Sequence, residues 1–450
     1  MPSGGSRILH PVTRRRFLTG AGVGLAAAGA VPGLSSPFVS RALAADKELA
    51  IIQWSHFVPA FDKWFDQFAQ DWGKKNNVSV TVDHIPEQNI AARAAAEASA
   101  KSGHDLFMWN GAGGAHLYRK FLVDMTGLVG ELEKKYGKVS TIGQQIAYNQ
   151  DDKTWSAFPD YYINNPGIYR KDLWDEIGVL PDTWDNVRTG GAKLKAKGHP
   201  VGLSLGHSND PSLCWRGVLW SWGASIQDKE GKKIVLNSKE TIEATKFVAA
   251  LYKESMTGDV LSWDDSSNNK YLASGVGSFI VNPLSAYRTT QQVNPKLADN
   301  IYFLKFPKGP VGQMVGAASN CYGVWNFARN KDAAMEFLRY YAANWGDAFK
   351  ASTGYNMPIF PNIVPKPFPI LSNDPSSHPA DKLKVTETSD EWCAVSGYPG
   401  PAWPATDEVY NQFIINDMMT KAATGAMSAE DAVKWATQEC EGIFKKWQNA

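Results

Sequence analysis

Apolar and polar positions trade places along the chain with the periods of strands and helices in turn. Leu49 to Trp54 is a continuous apolar run of strand length. Pro59 then opens a stretch in which Phe61, Trp64, Phe65, Phe68 and Trp72 recur at helical spacing, predicting an amphipathic helix. Val78 to Val82 predicts a β-branched strand, Ile90 to Lys101 an alanine-rich helix, and Asp105 to Trp109 a short apolar strand running into Gly111-Ala112-Gly113-Gly114. Alternation of this kind implies an α/β fold with a parallel sheet covered by helices. Ligands of such sheets bind beyond the carboxyl ends of the strands. That rule nominates Trp54, Ser55 and His56 after the first strand, and Trp109 and Asn110 before the glycines.

Further along, Trp155 to Phe158 leads to Pro159-Asp160-Tyr161-Tyr162. A second unit begins with Gly167-Ile168-Tyr169, continues through Lys171 to Ile177, and reaches Pro181-Asp182-Thr183-Trp184-Asp185 ahead of a helix. Pro211 to Trp222 predicts another helix, on which Trp215 and Trp222 share a face.

The N-terminus is of a different kind. Thr13-Arg14-Arg15-Arg16-Phe17-Leu18-Thr19 precedes a Gly/Ala-rich run from Ala21 to Gly33, and Ala42-Leu43-Ala44 closes it. These are the parts of a cleavable export signal over residues 1–44, and the Arg14-Arg15 pair before Phe17-Leu18 resembles a twin-arginine signal. Its removal changes the charge. The whole chain has 46 basic and 45 acidic side chains; five arginines and no acid fall in residues 1–45, leaving a formal charge of −4. A mildly acidic chain is not built for nucleic acid or anionic lipid. No other stretch is apolar for long enough to span a bilayer, so the mature protein is expected free in the periplasm.

Roughly 400 remaining residues exceed one ordinary core and predict two domains. Aromatic residues make up 12% of the chain and include 17 tryptophans, more than packing alone suggests; a wet aromatic cleft would house the surplus. Cys214, Cys321, Cys393 and Cys440 are too dispersed for a zinc site and read as buried thiols or one optional disulfide. Nothing in the pattern asks for a cofactor.

An ordered set of segments carries a family resemblance: the Tyr-containing strand at Tyr169, Lys171-Asp172-Leu173, Pro181-Asp182-Thr183-Trp184-Asp185 and Lys193-Leu194 followed by Gly198. Leu272-Ala273-Ser274-Gly275 before Phe279-Ile280, Gly316 to Val324 before Asn330-Lys331-Asp332, and Gly354 to Pro358 extend it. Together they resemble family 1 extracellular solute-binding proteins, the group that includes maltose-binding protein. The resemblance implies a periplasmic binding protein (Venus-flytrap) fold: two α/β lobes joined by a hinge of three crossings, with ligand trapped between them. The N-terminal lobe would take residues 46–159 plus 310–354, and the C-terminal lobe 160–309 plus 355–450. It also implies ABC permease subunits of the inner membrane as partners, and a monomer whose rims stay free to dock.

A sugar presents apolar C–H faces and a rim of hydroxyls, so its site needs flat rings beside groups that donate and accept. Aromatic and polar neighbours of that kind nominate Trp54, Ser55, His56, Trp109, Asn110, Asp160, Tyr161, Trp215, Trp263, Asp264, Asn282, Asn320 and Tyr355 as ligand-binding residues. Other readings stay open. A cationic solute such as a polyamine or peptide would use Asp160, Asp264 or Asp265 as counter-charges. Asp264-Asp265-Ser266-Ser267-Asn268-Asn269 starts like a calcium loop but lacks its glycine and closing glutamate. Gly202-Leu203-Ser204-Leu205-Gly206 matches the short pattern of a hydrolase nucleophile elbow, with Ser204 as nucleophile, although its surroundings predict a buried strand ending in a loop.

Overall fold

The computed structural model describes residues 47–111, 114–366 and 368–449. The export signal and its arginine pair lie outside the described residues, as do Ala112 and Gly113 of the glycine-rich turn.

Two sheets organise the rest. The larger has six strands in the order Met357–Pro358, Phe158–Ile163, Ala318–Val324, Leu106–Gly111, Lys47–Trp54 and Val78–Ile85. Lys47–Trp54 pairs in parallel with both of its neighbours, in register Lys47↔Val78 through Trp54↔Ile85 on one side and Ile51↔Leu106 on the other. Both faces of this strand are covered, which is why its sequence is apolar without alternation; Leu49, Ile51 and Ile52 have no exposed surface. The expectation of a parallel sheet holds for these three strands and is corrected for the others. Ala318–Val324 runs antiparallel between Leu106–Gly111 and Phe158–Ile163, and Met357–Pro358 is antiparallel at the edge. The smaller sheet, Phe279–Val281, Gly167–Arg170 and Ile301–Leu304, is antiparallel throughout.

The helix Pro59–Asn76 shows how the sequence sets an element. Pro59 sits in the first turn, where its missing N–H costs no intrahelical bond. Asn77 ends the helix in the left-handed region at φ 54°. Phe61, Phe65, Ala69 and Trp72 are buried at helical spacing against the six-stranded sheet, with the Phe65 ring 5.8 Å from Phe337 and stacked 6.4 Å from Tyr322. Trp64 and Phe68 lie at the margin of the same face and stack on each other at 4.9 Å.

The chain passes from the larger sheet to the smaller between Ile163 and Gly167, returns between Leu304 and Ala318, and leaves again after Pro358. The strand Phe158–Ile163 therefore runs through position 159, where the lobe boundary was expected. Gly202 to Leu205 is buried as foreseen, but forms no strand. Its N–H groups instead bond singly to Phe279 and Val260 carbonyls. All four cysteines are buried and free. No helix among the described residues is long and apolar enough to cross a membrane.

Close backbone approach fixes one helix on the side of the smaller sheet. Asn209–Ser221 lies so close to the segment Val315–Gly316 that a Cβ on Gly217 would come within 2.9 Å of the Met314 carbonyl oxygen and of the Val315 Cα, and a Cβ on Gly316 within 2.7 Å of the Leu213 Cα. Alanine is favoured over glycine inside a helix by roughly 1 kcal/mol, but here backbone atoms leave it no room. Gly217→Ala is therefore expected to lower stability by about 1–3 kcal/mol, the usual cost of overpacking. Urea denaturation checks the sign; a stabilised variant would show that the helix can move away.

Candidate functional site

A cavity of about 670 Å³ opens where the carboxyl ends of the three parallel strands face the helix Asn209–Ser221 and the loop before the helix Ser267–Ala273. The sheet contributes Ser55 after the first strand, Glu87 after the second, and Trp109 and Asn110 from the third. The opposite wall is made by His207, Ser208, Asn209, Asp264 and Asp265. Phe57, Tyr118 and Phe413 supply further ring surface.

The sheet wall has free hydrogen-bonding capacity. Trp109 is 5% exposed and its Nε1 has no partner; the Asn110 amide oxygen and nitrogen are likewise unpaired. A Cβ on Gly114 would fall 2.0 Å from Trp109 Cδ1, whereas one on Gly323 would meet the far ring edge at Cζ3. The indole thus sets its pyrrole edge against Gly114, which lines the cavity with it, and buries its benzene edge against the central strand. Asn320, paired with Asn110 in the ladder, is fully buried with both amide atoms unpartnered.

The opposite wall carries carboxylates. Asp265 accepts from the Asn209 and Asp210 N–H groups at 3.2 and 2.9 Å, at the N-terminus of a thirteen-residue helix where negative charge is favoured. Glu87 reaches across from the sheet side and accepts from the Asn209 side chain. Asp210 accepts from Asn268, whose amide also donates to Asn282 at 2.6 Å. Burial, and then the Asp265 charge, push the Glu87 and Asp210 carboxyls well above their ordinary range. Burial raises Asp265 as well, against the helix N–H groups and the Ser208 hydroxyl. Asp264 is exposed at the rim and held low by the Ser267 and Ser266 hydroxyls.

Of the sequence-nominated residues, Ser55, Trp109, Asn110 and Asp264 come together on this cavity. Asn320 does not line it, and the others are engaged by the protein. Trp54 is buried and donates to the Tyr161 hydroxyl at 3.0 Å. His56 accepts from the Val58 N–H at Nδ1 and faces Asn356 Oδ1 at 3.0 Å through Nε2, and burial holds its pKa down to about 4. Asp160 takes bonds from Trp345 Nε1 at 2.8 Å and the Tyr341 hydroxyl at 3.1 Å. Trp215 is fully buried and donates to the Ser204 carbonyl. Trp263 packs on Tyr271 and donates to Asp259. Asn282 is locked between Asn268 and Asn269, and so supports Asp210 from behind. Tyr355 is buried under the acidic wall, its ring 4.9 Å from His56 and its phenol raised by burial and by Glu87.

Glu87 and Asn209 were absent from the expectations. Glu87 follows the end of a strand that continues to Ile85 rather than stopping at Val82, so the rule that found Ser55 and Asn110 would have found it. Ser208-Asn209-Asp210-Pro211 reads as a helix start, a signal for N–H groups aimed at an acceptor. The Ser204 hydroxyl accepts from the Gly206 N–H at 3.2 Å and has no histidine among its partners. No group of three or more His, Cys, Asp or Glu residues that could hold a metal occurs among the described residues.

Asp160 yields a test with a definite sign. Burial raises its pKa from the ordinary 3.8 to about 7. Between those values the folded chain keeps a proton that the unfolded chain has released, so this group makes stability fall as pH rises. Asn mimics the protonated form and cannot ionise. The stability advantage of Asp160→Asn over wild type should therefore grow from about pH 4 to about pH 7, by at most about 1.4 kcal/mol per unit, and then level off. Urea denaturation across that range measures it; a difference independent of pH would mean an ionised Asp160.

The chain matches the family described as bacterial extracellular solute-binding protein over residues 58–346. No curated protein matches it by sequence. Among solved structures it is similar to maltose-bound MalE3 of T. maritima, at 18% identity and a TM-score of 0.74, over 88% of this chain and 99% of that one. A sugar transporter from Arthrobacter chlorophenolicus A6 with bound laminaribiose is similar at 15% identity and a TM-score of 0.74, over the same shares. An ABC transporter solute-binding protein from Thermotoga lettingae TMO with bound α-D-tagatose is similar at 17% identity and a TM-score of 0.73, over 88% of this chain and all of that one. The two sheets, the repeated crossings and the cavity between them are the periplasmic-binding-protein fold, and the chain belongs to the bacterial extracellular solute-binding protein family.

Proposed function

We propose that this protein captures a carbohydrate for an ABC importer, reversibly and without chemistry. The observation that carries the reading is the cavity itself, where Trp109 and Asn110, whose indole N–H and amide have no partner, stand across a gap edged with aromatic rings from a wall of carboxylates. That is the mixture a ring of hydroxyls and C–H faces requires. The sugars named in the similar structures support the same ligand class.

On this reading the chain is exported through its twin-arginine signal and acts as a monomer in the periplasm. Residues 46–159 plus 310–354 form one lobe, bounded within a few residues by the crossings, and 160–309 plus 355–450 the other. Ligand bound to the sheet wall gains further contacts when the acidic wall approaches, and that differential binding shifts the population toward the closed form. The closed form then docks on the permease subunits.

Purified mature protein should melt higher with one class of sugars or polyols and not with amino acids or divalent metals. A ligand at ~100 times its Kd stabilises by about 2.7 kcal/mol. Asn110→Ala, which removes an amide that has no partner in the protein, should weaken the same ligand about tenfold with little effect on the melting temperature of the empty protein. Shifts confined to metals or amino acids would overturn the carbohydrate reading.

A further inference from the structure

The charge of the cavity is one-sided. Glu87 from the sheet side stands against Asp265 from the loop, Asp210 backs them, and Asp264 sits at the rim. No lysine or arginine is among the described residues lining the cavity. Its histidine, His207, is exposed, bonds Asp417 at 2.6 Å and stacks on Phe413. The protein answers these carboxylates with neutral donors: the Asn209 amide on Glu87, the Asn268 amide on Asp210, and two backbone N–H groups on Asp265. A carboxylate accepts about four hydrogen bonds, so each keeps acceptor capacity and no cation compensates its charge. The electrostatics agree with that crowding, since burial first and the Asp265 charge second raise both Glu87 and Asp210.

A neutral sugar could donate hydroxyls to these groups but would leave the crowded carboxyls with no positive partner as the cleft dries. A bare metal ion or an alkyl polyamine would leave the N–H of Trp109, a cavity-lining residue only 5% exposed, without an acceptor. A solute that satisfies both walls has hydroxyls for Trp109 and Asn110 and a positive charge for Glu87 and Asp265. Resting on the carbohydrate reading above, we infer that the cavity is built for an amine-bearing carbohydrate or cyclitol, its protonated amine seated between Glu87 and Asp265.

The test is titration calorimetry of the mature protein at about pH 7 and low salt with matched sets of glucosamine, galactosamine and mannosamine, their N-acetyl forms, and glucose, galactose and mannose. In at least one set the free amine should bind ten or more times tighter than both neutral counterparts. Glu87→Gln and Asp265→Asn, near-isosteric with the residues they replace, should abolish that preference, and added sodium chloride should weaken the amine alone. The salt dependence reads the charge in the unaltered protein, so it decides the question even where a variant folds poorly. Neutral sugars binding as tightly as their amines would overturn this inference and leave carbohydrate capture intact. Binding by no member of any set would overturn the carbohydrate reading together with it.

Discussion

The structure depends on one strand arriving late in the chain and entering the middle of a sheet begun early. Ala318–Val324 fills the gap between Leu106–Gly111 and Phe158–Ile163, pairing Asn320 with Asn110 on one side and Tyr161 on the other. To get there the chain must leave the large sheet, build the smaller one, and return. The crossings follow from this insertion, and so does the cavity, because the second layer of structure stands opposite the carboxyl ends of the first strands. The same strand orients Trp109: at Gly323 it has no side chain, and the benzene edge of the indole occupies that space.

The two walls of the cavity differ in how they are held. The sheet wall is rigid because its residues belong to paired strands, and its polar groups are left free. The acidic wall is a relay. Asn269, Asn282, Asn268 and Asp210 are linked by side-chain amides, and Asp265 is tied to the first turn of the helix Asn209–Ser221. That helix is seated by the close approach of Gly217 to Val315, immediately before the central strand of the opposite wall. Position and charge are therefore set by different parts of the sequence that meet only in the fold.

Much of this was legible in the residues. Apolar periodicity located the first three strands and the helix at Pro59, and the strand-end rule nominated Ser55, Trp109 and Asn110, which line the cavity, together with Trp54 and His56, which do not. Other candidates turned on boundaries. Asp160 and Tyr161 were read as following a strand, but that strand continues to Ile163, so both lie within it and face protein. Tryptophan was ambiguous for a physical reason: Trp54 and Trp215 offer the same ring and N–H as Trp109, and only the partners reached by that N–H separate packing from a ligand wall. Non-local pairing left no trace in periodicity at all. His56 meets Asn356 across 300 positions, and nothing near either residue announces the other.

The inserted strand also sets a schedule for the growing polypeptide. Trp325, just past its end, bonds Glu97 across 228 positions. Until residues beyond 320 emerge from the ribosome, the strands at Leu106 and Phe158 have raw edges facing each other, open to pairing with the wrong chain. Contacts this distant in sequence close slowly. The nascent protein must therefore survive most of its synthesis with the centre of its sheet missing, and completion of that sheet is the point at which it becomes a finished receptor.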